Sequence, residues 1–226
     1  MIDISNVEFQ YSKSSESDFM LKIDQLKIAE GSRIAIVGPS GSGKTTLLNL
    51  ISGIDVPDQG KIIVGGHSID VMSESKRRLF RVTEIGMVFQ RFELVEYLDA
   101  FNNILLPFYI SSRINKVENR FESARQLAEQ MGLSGKLRRY PHQLSQGEQQ
   151  RVAICRALIT EPSVILADEP TGNLDPKNKK AILDLLFDTC SKNHQTLLVV
   201  THDVNILDGF DQIVDFEEFT SHAELD

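Results

Sequence analysis

The chain has 226 residues, of which 41% are hydrophobic and 25% are charged, and its formal net charge is −8. This length suits one α/β domain with an inserted subdomain, and the acidic balance disfavours non-specific binding to nucleic acid, which needs a cationic surface. The sequence predicts neither a signal peptide nor a membrane span, because no run approaches the ~18 apolar residues that a spanning helix needs.

The beginning of the chain predicts a small antiparallel sheet. Alternating apolar residues from Ile2 to Tyr11 are typical of an edge strand, and residues 21–28 predict its partner. The polar, serine-rich segment 12–18 between them indicates a hairpin loop. The apolar run 33–37, which ends at Gly38, predicts a buried parallel strand that leads into a loop.

That loop matches the pattern of a phosphate-binding loop, with Gly38, then four residues, then Gly43, Lys44 and Thr45. Glycines let the backbone approach phosphate oxygens, Lys44 reaches the β- and γ-phosphates, and the Thr45 hydroxyl coordinates Mg²⁺. A predicted helix at 45–51 points its positive end at the anion. The residues of this loop predicted to contact the nucleotide are Gly38, Ser40, Gly41, Ser42, Gly43, Lys44, Thr45 and Thr46.

The middle of the chain changes from strand-like to helical patterns. Short strands are predicted at 61–66 and 85–89. Apolar residues at spacings of three and four from Val117 to Met131 predict an amphipathic helix that ends at Gly132. We interpret residues 91–157 as a helical insertion between two halves of an α/β core.

The two halves of the core are predicted to be residues 1–90 and 158–215, in a single domain. Strands that alternate with helices imply a parallel sheet with right-handed crossovers. Residues 216–226 form an acidic tail, and the chain from Asp215 onward is predicted to be a loosely held surface segment.

The apolar strand predicted at 164–167 ends in two carboxylates, Asp168 and Glu169. If they stood alone, a solvated acidic turn would be the alternative interpretation. Together with a phosphate loop, they indicate chemistry on the nucleotide. Asp168 is predicted to hold Mg²⁺, and Glu169 is predicted to act as the general base that polarises the attacking water.

The segment Leu144-Ser145-Gln146-Gly147-Glu148 lies between the phosphate loop and these carboxylates. It resembles the signature motif LSGGQ of the ATP-binding cassette (ABC) family, with Gln146 and Glu148 as departures. With all three elements in the family's order, the chain resembles an ABC ATPase over residues 2–215. The resemblance implies a P-loop NTPase (RecA-like) α/β core with a small antiparallel β subdomain and an inserted α-helical subdomain.

The resemblance also implies roles for residues outside the phosphate loop. Gln90 matches the Q-loop glutamine, which contacts Mg²⁺ and the water, and His202 matches the switch histidine at the γ-phosphate. Tyr11 takes the place of the aromatic ring that stacks on adenine. The implied ATP-contacting residues of the signature and of the following D-loop are Ser145, Gln146, Gly147, Glu148 and Asp175.

One phosphate loop and one signature imply that two copies sandwich two ATP molecules in a head-to-tail homodimer. The resemblance further implies a separate membrane permease, and a place on the cytoplasmic face of the inner membrane. Residues 171–175 with 149–154 resemble the subgroup of lipoprotein-release, macrolide-export, glycolipid-export and cell-division ATPases. The motifs leave open an exporter subunit or a mechanotransmitting ATPase that regulates periplasmic enzymes. A soluble P-loop kinase or GTPase is disfavoured, because the chain lacks an Asn-Lys-x-Asp motif.

Overall fold

The computed structural model describes residues 1–11, 20–111, 113–114, 117–172 and 174–221. The predicted hairpin loop 12–18 therefore lies outside the described residues. The described chain forms two five-stranded sheets with helices around them.

The first sheet is antiparallel and contains β1 (Ile2–Gln10), β2 (Met20–Ile28), β4 (Gln59–Val64) and β5 (His67–Ser68). A two-residue strand near the end of the chain, described below as β10, completes it in the order β10-β2-β1-β4-β5. The prediction of β1 as an edge strand is wrong, because β1 pairs on both sides. Alternation of apolar residues reports that one face is buried, and it does not report how many neighbours a strand has.

The second sheet is parallel and has the order β6-β7-β8-β3-β9. Each strand is short, and three of its central members are almost wholly buried, as expected for a parallel sheet that is covered on both faces. Their bounds are Arg33–Val37 for β3, Ile85–Val88 for β6, Val164–Asp168 for β7, Thr196–Thr201 for β8 and Gln212–Asp215 for β9.

The helices lie between these strands in the chain. Helix α2 was not predicted, because its sequence is mostly polar and Phe80 is its one buried residue. Helix α4 begins at Arg120, so Val117 precedes it. The bounds are Lys44–Ser52 for α1, Glu74–Glu84 for α2, Ala100–Ile110 for α3, Arg120–Gln130 for α4, Gln146–Leu158 for α5, Pro176–Lys192 for α6 and Phe216–Phe219 for α7.

Buried side chains form two apolar clusters on opposite faces of the parallel sheet. One cluster joins the antiparallel sheet and α1 to the sheet's first face. The other joins α3, α4, α5 and α6 to the second face. The helical segment thus packs directly on the strands that end at the candidate site. No helix in the described ranges is both long and apolar enough to cross a membrane.

The end of the chain is held more firmly than the sequence predicts. Strand β9 pairs with β3, and β10 (Thr220–Ser221) pairs with β2. Between them Phe216 is completely buried. A methyl group added at Gly38 would lie 3.0 Å from the Cβ atom of Phe216, so the chain at Phe216 lies close to the start of the phosphate loop. The prediction of a loosely held surface segment is therefore wrong for the described part of the tail.

Candidate functional site

The predicted phosphate loop lies where β3 ends and α1 begins. Lys44 is nearly buried, and its Nζ donates to the carbonyl oxygens of Gly38 at 2.8 Å and Pro39 at 2.7 Å. Burial lowers the pKa of Lys44, and the charges of Glu169 and Asp168 oppose that shift. A cation in this position attracts an anion, because it is withdrawn from water and held by a rigid loop.

The ends of the parallel strands and the phosphate loop line an open cavity of about 380 Å³. It brings together residues that are up to 191 positions apart in the sequence, because neighbouring parallel strands end at the same edge of the sheet. Nearly all of the predicted loop, carboxylate and histidine residues contribute to its lining, which contains Tyr11, Ser40, Gly41, Gly43, Lys44, Thr45, Thr46, Gln90, Asp168, Glu169 and His202.

Thr45 and Asp168 meet at the floor of the cavity. The Thr45 hydroxyl donates to Asp168 Oδ2 at 2.8 Å. Burial raises the pKa of Asp168, and the Thr45 hydrogen bond partly offsets that shift. Two oxygen ligands in contact fit Mg²⁺, which prefers a carboxylate together with phosphate oxygens. A cation held by both would also offset the electrostatic cost of the half-buried carboxylate.

Glu169 follows Asp168, and three hydrogen bonds fix its carboxylate. Oε1 accepts from the backbone N–H of His202 at 2.9 Å and lies 2.5 Å from His202 Nδ1. Oε2 accepts from the Thr201 hydroxyl at 3.0 Å. The backbone φ angle of Glu169 is 46°, in a left-handed region that is uncommon outside functional turns. Hydrogen bonds therefore hold Glu169 and His202 together at the ends of β7 and β8.

Thr201 was missed in the sequence analysis. Its position between a buried strand and His202 gives a usable signal, because sites in parallel sheets form at the carboxyl ends of the strands. Thr201 is fully buried, and its hydroxyl also accepts from the backbone N–H of Asp203 at 3.0 Å.

Tyr11 lies at the mouth of the cavity, just after β1. Its hydroxyl is within 3.2 Å of Thr46 Oγ1 and of Asp55 Oδ2. The Phe9 ring meets the Tyr11 ring edge-on at 4.8 Å. The tyrosine is 43% exposed, so its ring is held in place while it remains available for stacking on a base.

The signature segment differs from the cavity residues in its surroundings. Ser145 is the N-cap of α5, and its Oγ accepts from the Glu148 backbone N–H at 3.3 Å while Glu148 Oε2 accepts from the Ser145 N–H at 2.9 Å. This is a reciprocal capping box. These bonds and the Lys136 ammonium, 3.0 Å from Glu148 Oε1, lower the pKa of Glu148.

Among the described residues, the cavity lining includes no member of the signature, and Asp175 also lies outside it. Asp175 caps α6 by accepting from Asn178, and these bonds lower the pKa of Asp175. A methyl group added at Gly147 would lie 3.4 Å from Asn178 Oδ1. The signature and the start of α6 therefore form one surface that is separate from the cavity. Asn173, the first residue of the predicted D-loop, lies outside the described residues.

A sequence model of the family described as "ABC transporter" matches residues 21–172. The chain belongs to this family. The uncharacterised ABC transporter ATP-binding protein MJ1508 of Methanocaldococcus jannaschii is 43% identical to it over 203 residues, which are 90% of this chain and 89% of that protein. The lipoprotein-releasing system ATP-binding protein LolD of Treponema denticola is 41% identical over the same shares of both chains.

Solved ABC cassettes have the same fold. A dimeric structure of the cassette MJ0796 in a post-hydrolysis state, bound to ADP and Pi, matches with a TM-score of 0.83 and 34% identity over 95% of this chain and 94% of that chain. The comparisons confirm the predicted family and fold class. This ABC protein is an ATPase that binds ATP and uses Mg²⁺.

Proposed function

We propose that this ABC ATPase is the ATP-hydrolysing subunit of an export or extrusion complex, in which ATP closes two copies of the chain. The observation that carries the proposal is the separation of the ATP cavity from the signature surface. A signature serine that caps its own helix, outside the cavity, needs a second copy to bring it to a γ-phosphate. The dimeric MJ0796 cassette supports such an arrangement.

Within the cavity, Lys44 and the loop residues bind the β- and γ-phosphates. Thr45, Asp168 and Gln90 are the residues that would hold Mg²⁺, which supplies positive charge to the phosphates when it is bound. Glu169 accepts a proton from the attacking water. His202 keeps the Glu169 carboxylate oriented and lies at the γ-phosphate, while Tyr11 stacks on adenine. The remaining proposed contacts, made across the dimer, are Ser145, Gln146, Gly147, Glu148 and Asp175.

A separate permease is the proposed membrane partner. An apolar groove of about 350 Å³ runs between β6 and α3, near Gln90, with Met87, Phe89 and Leu106 among its lining residues. A short permease helix that presents apolar side chains would fit there, because such a groove buries one apolar helix face. Docking of this kind would place the chain on the cytoplasmic face of the inner membrane. The relatives named as lipoprotein-releasing ATP-binding proteins favour lipoprotein or lipid export as the process.

Glu169→Gln tests the proposal. We expect this variant to bind ATP and to shift from monomer to dimer when Mg-ATP is added, as measured by size-exclusion chromatography with light scattering. Glu129→Gln is the matched control, because Glu129 is exposed on α4, and it should behave as the unaltered chain does. If Glu169→Gln binds ATP and stays monomeric both alone and with its permease in detergent, the proposed sandwich is wrong.

A further inference from the structure

The last turn of α5 is tied to the chain that follows Gln90. Arg156 Nη2 donates to the carbonyl oxygen of Phe92 at 2.6 Å, and Nη1 donates to the carbonyl oxygen of Glu93. A guanidinium presents its donors in a rigid planar fork. One side chain therefore holds two successive carbonyl groups in a fixed orientation.

The two residues that Arg156 holds have unfavourable backbone conformations. The φ angle is 56° at Phe92 and 48° at Glu93, in the left-handed region that side chains with a Cβ atom adopt at a cost. Two successive residues of this kind persist only where their surroundings enforce them. The Arg156 fork is such an enforcement, and Gln90, which lines the ATP cavity, is two residues away.

The same helix reaches the other catalytic turn. Gln150 is fully buried on α5, and its Nε2 donates to the carbonyl oxygen of Pro170 at 2.6 Å. Pro170 follows Glu169 directly. Helix α5 therefore carries Ser145 at its start and contacts the backbone beside both Glu169 and Gln90.

The end of α5 rests on the strand that leads to Gln90. A methyl group added at Gly86 in β6 would lie 2.4 Å from the carbonyl oxygen of Ala157. Only glycine permits this close approach of the helix to the strand. The approach places the Arg156 side chain beside Phe92 and Glu93, which follow the strand. A shift of α5 would move the segment after Gln90 through these contacts.

We propose that Arg156 is a positioning residue for Gln90: its two hydrogen bonds keep the following segment in the conformation that places the Gln90 amide in the ATP cavity. The proposal rests on the proposed role of Gln90 at Mg²⁺ and the attacking water. Arg156 itself does not touch the nucleotide. It links the helix that begins at the signature to the residue that contacts the reacting groups.

A double-mutant cycle between the two residues tests this link. Lysine keeps the charge at position 156, but its ammonium is a point charge on a flexible stem and lacks the rigid planar fork that orients both carbonyl groups. We expect Arg156→Lys to lower kcat by about fivefold and Gln90→Ala by about tenfold, with the Kd for ATP changed less than about twofold. In the Gln90→Ala background, Arg156→Lys should have no further effect on kcat, because it acts through the missing amide.

The proposal would be overturned if the kcat losses of the two single variants multiplied in the double variant. It would also be overturned if Arg156→Lys lowered the melting temperature and left kcat unchanged. Both results would indicate a structural arginine that acts independently of Gln90. Glu169→Gln is measured in the same assay. Full turnover in that variant would contradict the proposed general base and would leave the cycle between Arg156 and Gln90 interpretable on its own.

Two matched substitutions at Glu93 test the role of the backbone conformation without changing Arg156. The side chain of Glu93 is exposed. Asparagine tolerates the left-handed region, whereas β-branched valine does not. Glu93→Asn should keep kcat within about twofold, and should restore most of the loss in Arg156→Lys, whereas Glu93→Val should lower kcat as Arg156→Lys does. Equal kcat values for the two Glu93 variants would refute the role of the backbone conformation.

Discussion

In the ATP cavity, Lys44, Thr45 and Asp168 line one open space, and the Thr45 hydroxyl donates to Asp168 Oδ2. In the signature segment, Ser145 and Glu148 satisfy each other on their own helix. The first region is preorganised within one chain, and the second must give up or share its capping bonds when it meets a phosphate. Under the proposed function, a chain with this difference binds ATP as a monomer and needs a partner copy to use its signature.

The largest effect is expected when the ATP cavity is disabled and the signature segment is left intact. Lys44→Ala should weaken ATP binding by about a hundredfold or more, because each charge-assisted hydrogen bond to phosphate contributes about 1.5–3 kcal/mol. Isothermal titration calorimetry measures the Kd. The control is Lys61→Ala, an exposed lysine on β4, which should bind normally. Unchanged affinity in Lys44→Ala would contradict the phosphate-loop assignment.

The signature can be disabled without loss of its helix cap. Aspartate is as good an N-cap as serine, but it repels a phosphate. In the Glu169→Gln background, Ser145→Asp should leave the Kd of the monomer for ATP unchanged and should weaken the ATP-dependent dimer by about thirtyfold, since like charges at an interface cost several kcal/mol. Light scattering over a dilution series measures this. An equally tight dimer would place Ser145 away from the phosphate.

At the mouth of the cavity, the Tyr11 ring and its hydroxyl can be separated. Tyr11→Ala should weaken ATP binding by about fivefold to tenfold, because stacking contributes about 0.5–1.5 kcal/mol. Tyr11→Phe keeps the ring and loses only the hydroxyl contacts with Thr46 and Asp55, so its loss should be smaller. Binding of ATP is compared with binding of triphosphate alone, which neither variant should affect.

An ion pair links α6, whose start lies beside the signature, to the residue after His202: Lys179 Nζ lies 2.5 Å from Asp203 Oδ2. Lys179 lowers the pKa of Asp203 from its ordinary 3.8 to about 2. Because the folded-state pKa is depressed, the pair stabilises the fold above pH 3.8 and loses this effect as pH falls through about 2.

Lys179→Met should therefore lower the free energy of unfolding by about 0.5–1 kcal/mol at pH 6, in urea titrations, and by less at pH 3. Lys180→Met is the control, because its pair with Asp184 is more exposed, and it should change stability less. A difference that is the same at both pH values would indicate lost packing instead of lost charge.

Much of the cavity was predictable because its residues follow apolar strands. A buried strand followed by a glycine-rich loop, as at Gly38, or by two carboxylates, as at Asp168, has few alternative placements in a parallel sheet. The self-capping of Ser145 could also be read from Glu148 three residues later. The catalytic and binding roles of these residues stay predictions until the variants are measured.

Other features depend on contacts that local patterns do not encode. The place of β1 within its sheet is set by β4, some fifty residues later. Phe216 is buried in the apolar cluster on the first face of the parallel sheet, and a segment rich in glutamates gives no sign of it. Arg156 stands in an ordinary amphipathic helix, and only the three-dimensional structure reveals the carbonyl groups that it holds.

The pairing of β3 with distant strands has a consequence for synthesis on the ribosome. Its neighbours β8 and β9, and Phe216 beside its loop, are translated long after β3 itself. A nascent chain that still lacks these residues contains the whole phosphate-loop sequence but not the strands that flank β3. We therefore expect nucleotide to stabilise only nascent chains that already include β8, β9 and Phe216.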